Sequence, residues 1–67
     1  MPEIIVYALK GRSAAQKKAL MRAITDVVAE HFGAPAAGIV VQIVEADADS
    51  KSKGGVPYAE LHAPTPS

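Results

Sequence analysis

Two short apolar runs, IIVYAL at Ile4–Leu9 and IVVQIV at Ile39–Val44, flank a stretch with helical periodicity, and nothing else in the chain restricts its fold as tightly. Both runs are rich in β-branched residues and read as strands with apolar side chains on both faces. Between them, Leu20, Ile24, Val27, Val28 and His31 recur at spacings that place them on one face of an α-helix. Strand, helix, strand over about forty residues is a βαβ unit, so the strands should be parallel with a right-handed crossover.

The ends of the helix are marked in the sequence. Lys10 and Gly11 break the first strand, and Ser13-Ala14-Ala15-Gln16 is a capping box. The Ser13 hydroxyl should accept an N–H of the first turn while the Gln16 side chain reaches back. Lys17, Lys18, Arg22, Asp26 and Glu30 take the remaining circumference. Gly33 supplies the stop, and Pro35 prevents continuation. From Asp47 to Gly55 the chain turns polar and reads as a flexible turn region or a partner contact. VPYAEL after Gly54-Gly55 could add a short edge strand or hairpin arm. Residues 62–67, HAPTPS, read as a loose tail. Residues 1–67 thus form one domain, with no internal repeat and no phosphate-binding glycine pattern in KSKGG.

Parallel strands that are apolar on both faces need cover on both faces. One helix covers one. The size of the chain makes the same demand, because a core in so small a domain rarely supplies more than about 3–5 kcal/mol unaided. Disulfides are excluded, since the sequence contains no cysteine, and His31 and His62 have no metal-ligand motif around them. Association with further copies is the remaining route. Seven basic and seven acidic side chains cancel, which argues against nucleic acid or an anionic membrane surface as partner. The amino end has no basic region and too short an apolar run for a signal peptide or membrane span, so a cytoplasmic protein is expected.

An ordered set of residues then resembles a known family. Pro2 behind Met1, a hydrophobic strand, Gly11-Arg12-Ser13, Gln16-Lys17 in the helix, Ala34-Pro35, a strand ending in Glu45, and Gly54-Gly55 resemble the tautomerase superfamily, in particular its short 4-oxalocrotonate tautomerase group. The resemblance implies an α/β (α+β) fold, a βαβ unit with a short C-terminal hairpin. Two chains would pair into a four-stranded sheet and three such dimers would make a hexamer. It implies a cofactor-independent isomerase acting on a small carboxylate, a 2-hydroxydienoate or 2-oxo acid. Met1 would be removed, and Pro2 and Arg12 would be the catalytic residues. Leu9, Arg12, Val40, Lys51 and Tyr58 would bind substrate at a junction of subunits.

The chemistry of those two residues is independently sound. A free α-amine titrates near about pH 8, and apolar surroundings or a nearby cation lower that value. A neutral proline amine can take a proton and return it elsewhere, as a general acid–base catalyst must. A guanidinium stays charged and grips a carboxylate with two parallel hydrogen bonds.

The sequence also departs from the family's pattern. Val40 stands where well-studied members carry a second arginine, and Lys51 falls near the position of an aromatic pocket wall. Lys51 or Lys53 could receive a carboxylate in its place, and Tyr58 could restore an aromatic wall or a hydroxyl donor. Tyr7 is expected in the core, His31 packed on the apolar helix face, and Glu45 structural. Gln42 lies on a strand face that the sequence leaves open. The rival readings are a hydratase or dehalogenase of the same superfamily, which needs a residue to activate water, and a non-catalytic oligomer binding a small acid or a protein.

Overall fold

The computed structural model describes residues 2–61. Strand β1 (Glu3–Leu9) leads into helix α1 (Ala14–Phe32), and the chain returns along strand β2 (Val40–Ala46). The strands are parallel, with Glu3 opposite Val40 at one end and Leu9 opposite Ala46 at the other. A βαβ unit is what the two apolar runs require.

Local chemistry sets the helix ends. The Gln16 side chain accepts from the Ser13 N–H at 2.8 Å, and the Ser13 hydroxyl accepts from the Gln16 N–H at 3.1 Å. At the far end Gly33 adopts a left-handed conformation (φ 63°) and its N–H bonds back to the Ala29 carbonyl. Only glycine takes that backbone without a Cβ penalty. Strand β2 begins one residue later than the apolar run, because Ile39 closes a 3₁₀ turn over Ala36–Gly38. It ends two residues later, at Ala46, whose carbonyl still accepts the Lys10 N–H at 3.0 Å.

Beyond a second 3₁₀ turn (Ala48–Ser50), β3 (Ser52–Lys53) and β4 (Val56–Pro57) form an antiparallel hairpin. Its two-residue loop, Gly54-Gly55, has φ of 62° and 81°. Positive φ at both positions matches strand twist in a tight hairpin. The expected hairpin arm is therefore present, and Tyr58–Leu61 continues as a short helix, α2. The tail at 62–67 lies outside the described residues.

Side chains alternate along both strands. Ile4, Val6, Ala8, Val41, Ile43 and Glu45 are half-buried, whereas Glu3, Ile5, Tyr7, Val40, Gln42 and Val44 are exposed on the opposite face. Tyr7 is 72% exposed, so within one copy it is not a core residue. The helix packs through only part of its expected face. Lys17, Met21, Ile24 and Val28 are half-buried, while Leu20, Val27 and His31 are exposed. Two strands cover only a narrow strip, so Ile24 and Val28 of that face are covered together with Lys17 and Met21 beside it. Within one copy His31 is therefore exposed rather than packed. Among the described residues no side chain is fully buried. The radius of gyration is 15.6 Å, against about 11 Å for a compact chain of this length. One copy folds its elements correctly but encloses no interior.

Candidate active site

Three local groupings hold the residues that the sequence singles out, and one strand's length separates two of them. At the amino end of β1, half-buried Pro2 sits beside Val40, whose N–H donates to the Pro2 carbonyl at 3.1 Å. At the carboxyl end, Leu9 and Arg12 line a cleft of 180 Å³ between β1, β2 and the start of α1, together with Val6, Leu20, Lys17 and Glu45. In the hairpin region, the Lys51 ammonium lies 5.5 Å from the centre of the Tyr58 ring, and the Tyr58 N–H donates to the Lys51 carbonyl at 2.8 Å. A cation over an aromatic face at that distance is attracted by the ring quadrupole.

The arginine grouping is the most developed. Arg12 follows the strand-breaking Gly11, whose φ of 137° lets the chain leave β1 sharply before the Ser13 cap. Its Nη1 donates to the Leu9 carbonyl at 3.2 Å, which folds the guanidinium back over the strand end. That bond uses one of five donors and leaves the charge uncancelled. Three ion pairs occur among the described residues: Lys10–Asp47 at 3.2 Å, Lys17–Glu45 at 2.9 Å and Arg22–Asp26 at 3.3 Å. Arg12 belongs to none of them. A cation without a counter-ion, at the rim of an apolar cleft, is suited to holding an anion.

Glu45 fits the structural role expected for it, since its carboxylate binds the Lys17 ammonium within that cleft. Lys17 entered the sequence reading only as part of the Gln16-Lys17 pair and of the helix circumference, with no partner assigned to it. Its partner lies 28 positions away, and no local spacing announces a bond between a helix and a distant strand. Gln42 is exposed on the open sheet face, opposite Ile5. His62 lies outside the described residues.

Pro2 and Arg12 do not meet in one copy. The seven residues of β1 lie between them, about 23 Å at the usual rise of a strand. An arginine side chain folded onto Leu9 does not span that distance. Among the described residues there is no group of three or more potential metal ligands, and no helix is long and apolar enough to cross a membrane.

Comparison with known proteins supplies the context for this arrangement. The family model described as "Tautomerase enzyme" matches residues 2–59. A Bradyrhizobium diazoefficiens protein named "Probable tautomerase" is 42% identical over 94% of this chain and 94% of its own length. The "2-hydroxymuconate tautomerase" of Comamonas testosteroni is 38% identical over 91% of this chain and 97% of its own. Among solved structures, a heterohexamer 4-oxalocrotonate tautomerase from Chloroflexus aurantiacus superposes with a TM-score of 0.84 at 34% identity, covering 91% of this chain and 98% of that one.

Proposed function

This chain belongs to the tautomerase family, as a short 4-oxalocrotonate tautomerase-like member, and on that premise we propose that it interconverts enol and keto forms of a small carboxylate without a cofactor. The substrate class is a 2-hydroxydienoate or 2-oxo acid. Once Met1 is removed, the Pro2 amine takes the proton of the enol hydroxyl. Its conjugate acid then returns a proton to a carbon of the conjugated system, completing the ketone. The five-membered ring restricts where that nitrogen can point. Arg12 holds the substrate carboxylate and stabilises the negative charge that spreads over the dienolate.

One observation carries the reading: Arg12 presents a charge with no counter-ion at an apolar cleft, at the opposite end of a strand from Pro2. The site is accordingly composite, with Pro2 from one copy and Arg12 with Leu9 from another. The absence of any fully buried side chain in one copy supports this, as does the open sheet face carrying Ile5, Tyr7 and Val44. The six-subunit assembly named for the Chloroflexus aurantiacus structure makes a hexamer, a trimer of dimers, the assembly we propose. Val40 beside Pro2 offers no charge. Lys51, braced by Tyr58, is the cation we assign to a second carboxylate.

Glu45 is the acidic residue that a hydratase or dehalogenase would need to activate water. It is engaged by Lys17, which favours the tautomerase over that rival. The test is ketonisation of 2-hydroxymuconate followed by absorbance, with intact mass reporting the loss of Met1. Activity that requires both a free Pro2 amine and Arg12 is expected. A retained Met1 in fully active protein overturns the amine mechanism, and an assembled protein with no detectable activity favours a binding module instead.

A further inference from the structure

The Lys17–Glu45 ion pair differs from the other two in the described chain. Its side chains are 31% and 23% exposed, whereas those of Lys10–Asp47 and Arg22–Asp26 are all more than half exposed. It joins the first turns of α1 to the end of β2, and both of its members line the cleft that contains Arg12. Glu45 is opposite Ala8 in the sheet, and the Arg12 guanidinium is docked on the carbonyl of the next residue, Leu9. The two groups share one cleft of 180 Å³, so a Glu45 carboxylate released from Lys17 would have that space in common with the one guanidinium available there for substrate.

We infer that Lys17 is a positioning residue for Arg12: by holding the Glu45 carboxylate it keeps that group from capturing the guanidinium, which stays open to a substrate carboxylate. Arginine and carboxylate form the strongest common pair among side chains, often through two parallel bonds. Two cations and one carboxylate share the cleft, and an internal Glu45–Arg12 pair would compete directly with substrate. With Lys17 taking Glu45 at 2.9 Å, one positive charge remains, and it is on Arg12. The inference rests on the reading of Arg12 as the carboxylate anchor. It adds that the anchor is available only because a third residue neutralises the carboxylate that shares its cleft.

Steady-state kinetics of the intact protein on 2-hydroxymuconate test this. Lys17→Met should raise KM about tenfold or more with kcat within about threefold, the pattern of lost substrate binding. Glu45→Gln should not raise KM. The double variant Lys17→Met with Glu45→Gln should return KM to within about threefold of the wild-type value, because the competing carboxylate is gone. A structural tie between helix and strand gives a different result: both single variants are impaired and the double is no better. That outcome, or an unchanged KM in Lys17→Met, overturns the inference. Should Lys17→Met fail to assemble, Lys17→Gln removes the charge while keeping a donor for Glu45, and the same comparison applies. Arg12→Ala separates the two levels. An unchanged KM there overturns the role of Arg12 itself, whereas a raised KM there without rescue in the double variant overturns only the role of Lys17.

Discussion

The two ends of the β1–β2 sheet are built differently. At the carboxyl end, the Ser13–Gln16 capping box, the Lys10 N–H on Ala46, the Lys17–Glu45 pair and the Arg12 bond to Leu9 all lie within a few residues of one another. At the amino end, Pro2 is tied by a single backbone hydrogen bond to Val40, which offers no polar side chain. One end is thus prearranged within a single copy and the other is not. On the reading proposed above, a chain of this size shapes the corner that holds the carboxylate by itself, but it does not also bring the Pro2 amine to that corner from a strand's length away.

Six experiments break or sharpen that comparison. The largest effect belongs to the amino end: Pro2→Ala should lower kcat by about 10²- to 10⁴-fold, the usual contribution of a positioned acid–base group. Arg12→Ala should act at the other end, chiefly on KM, by roughly ten- to a hundredfold for a lost charge-assisted contact. Co-assembled from a mixed unfolded pool, these two impaired variants should regain activity, since some junctions then pair an intact Pro2 with an intact Arg12. No recovery on mixing would place both residues in one copy's site and contradict the composite arrangement.

Disrupting the junction without touching either end comes next. Ile5→Asp puts a charge on the open sheet face, where Ile5 is 47% exposed in one copy. Sizing chromatography should show smaller species and activity should fall with them. A fully assembled, active Ile5→Asp protein would mean that this face is not buried between copies. Within the carboxyl end, Ser13→Ala removes the helix cap and should lower stability by about 1 kcal/mol in denaturant unfolding, with assembly retained. Smallest of all is Lys10→Ala. Its ion pair with Asp47 is 61% and 63% exposed, and such pairs contribute about 0–1 kcal/mol. A larger loss would show that the β1–α1 turn depends on this pair as well as on the half-buried one.

Legibility followed range. The capping box, the Gly33 stop and the Gly54-Gly55 hairpin loop were readable because each depends on neighbours a few positions apart. Arg12 and Pro2 stood out through an ordered pattern of residues. Lys17 and Glu45 each belonged to that pattern, but nothing in the sequence announced a bond between them. The exposure of Val27 and His31 in one copy was equally hidden. An apolar arc shows that a helix has something to bury, not which line of it a two-stranded sheet will accept.

The sequence by itself determined the elements and their order, because backbone propensity, capping and turn geometry are settled by side chains adjacent along the chain. It also required that one sheet face find a partner, since apolar residues on both sides of a strand cannot all be covered by one helix. Only the tertiary structure decided which cation of the cleft stays unpaired, and that Pro2 and Arg12 stand at opposite ends of one strand. Charges are paired by distance in space, and parallel register puts together residues whose spacing along the chain says nothing of their meeting.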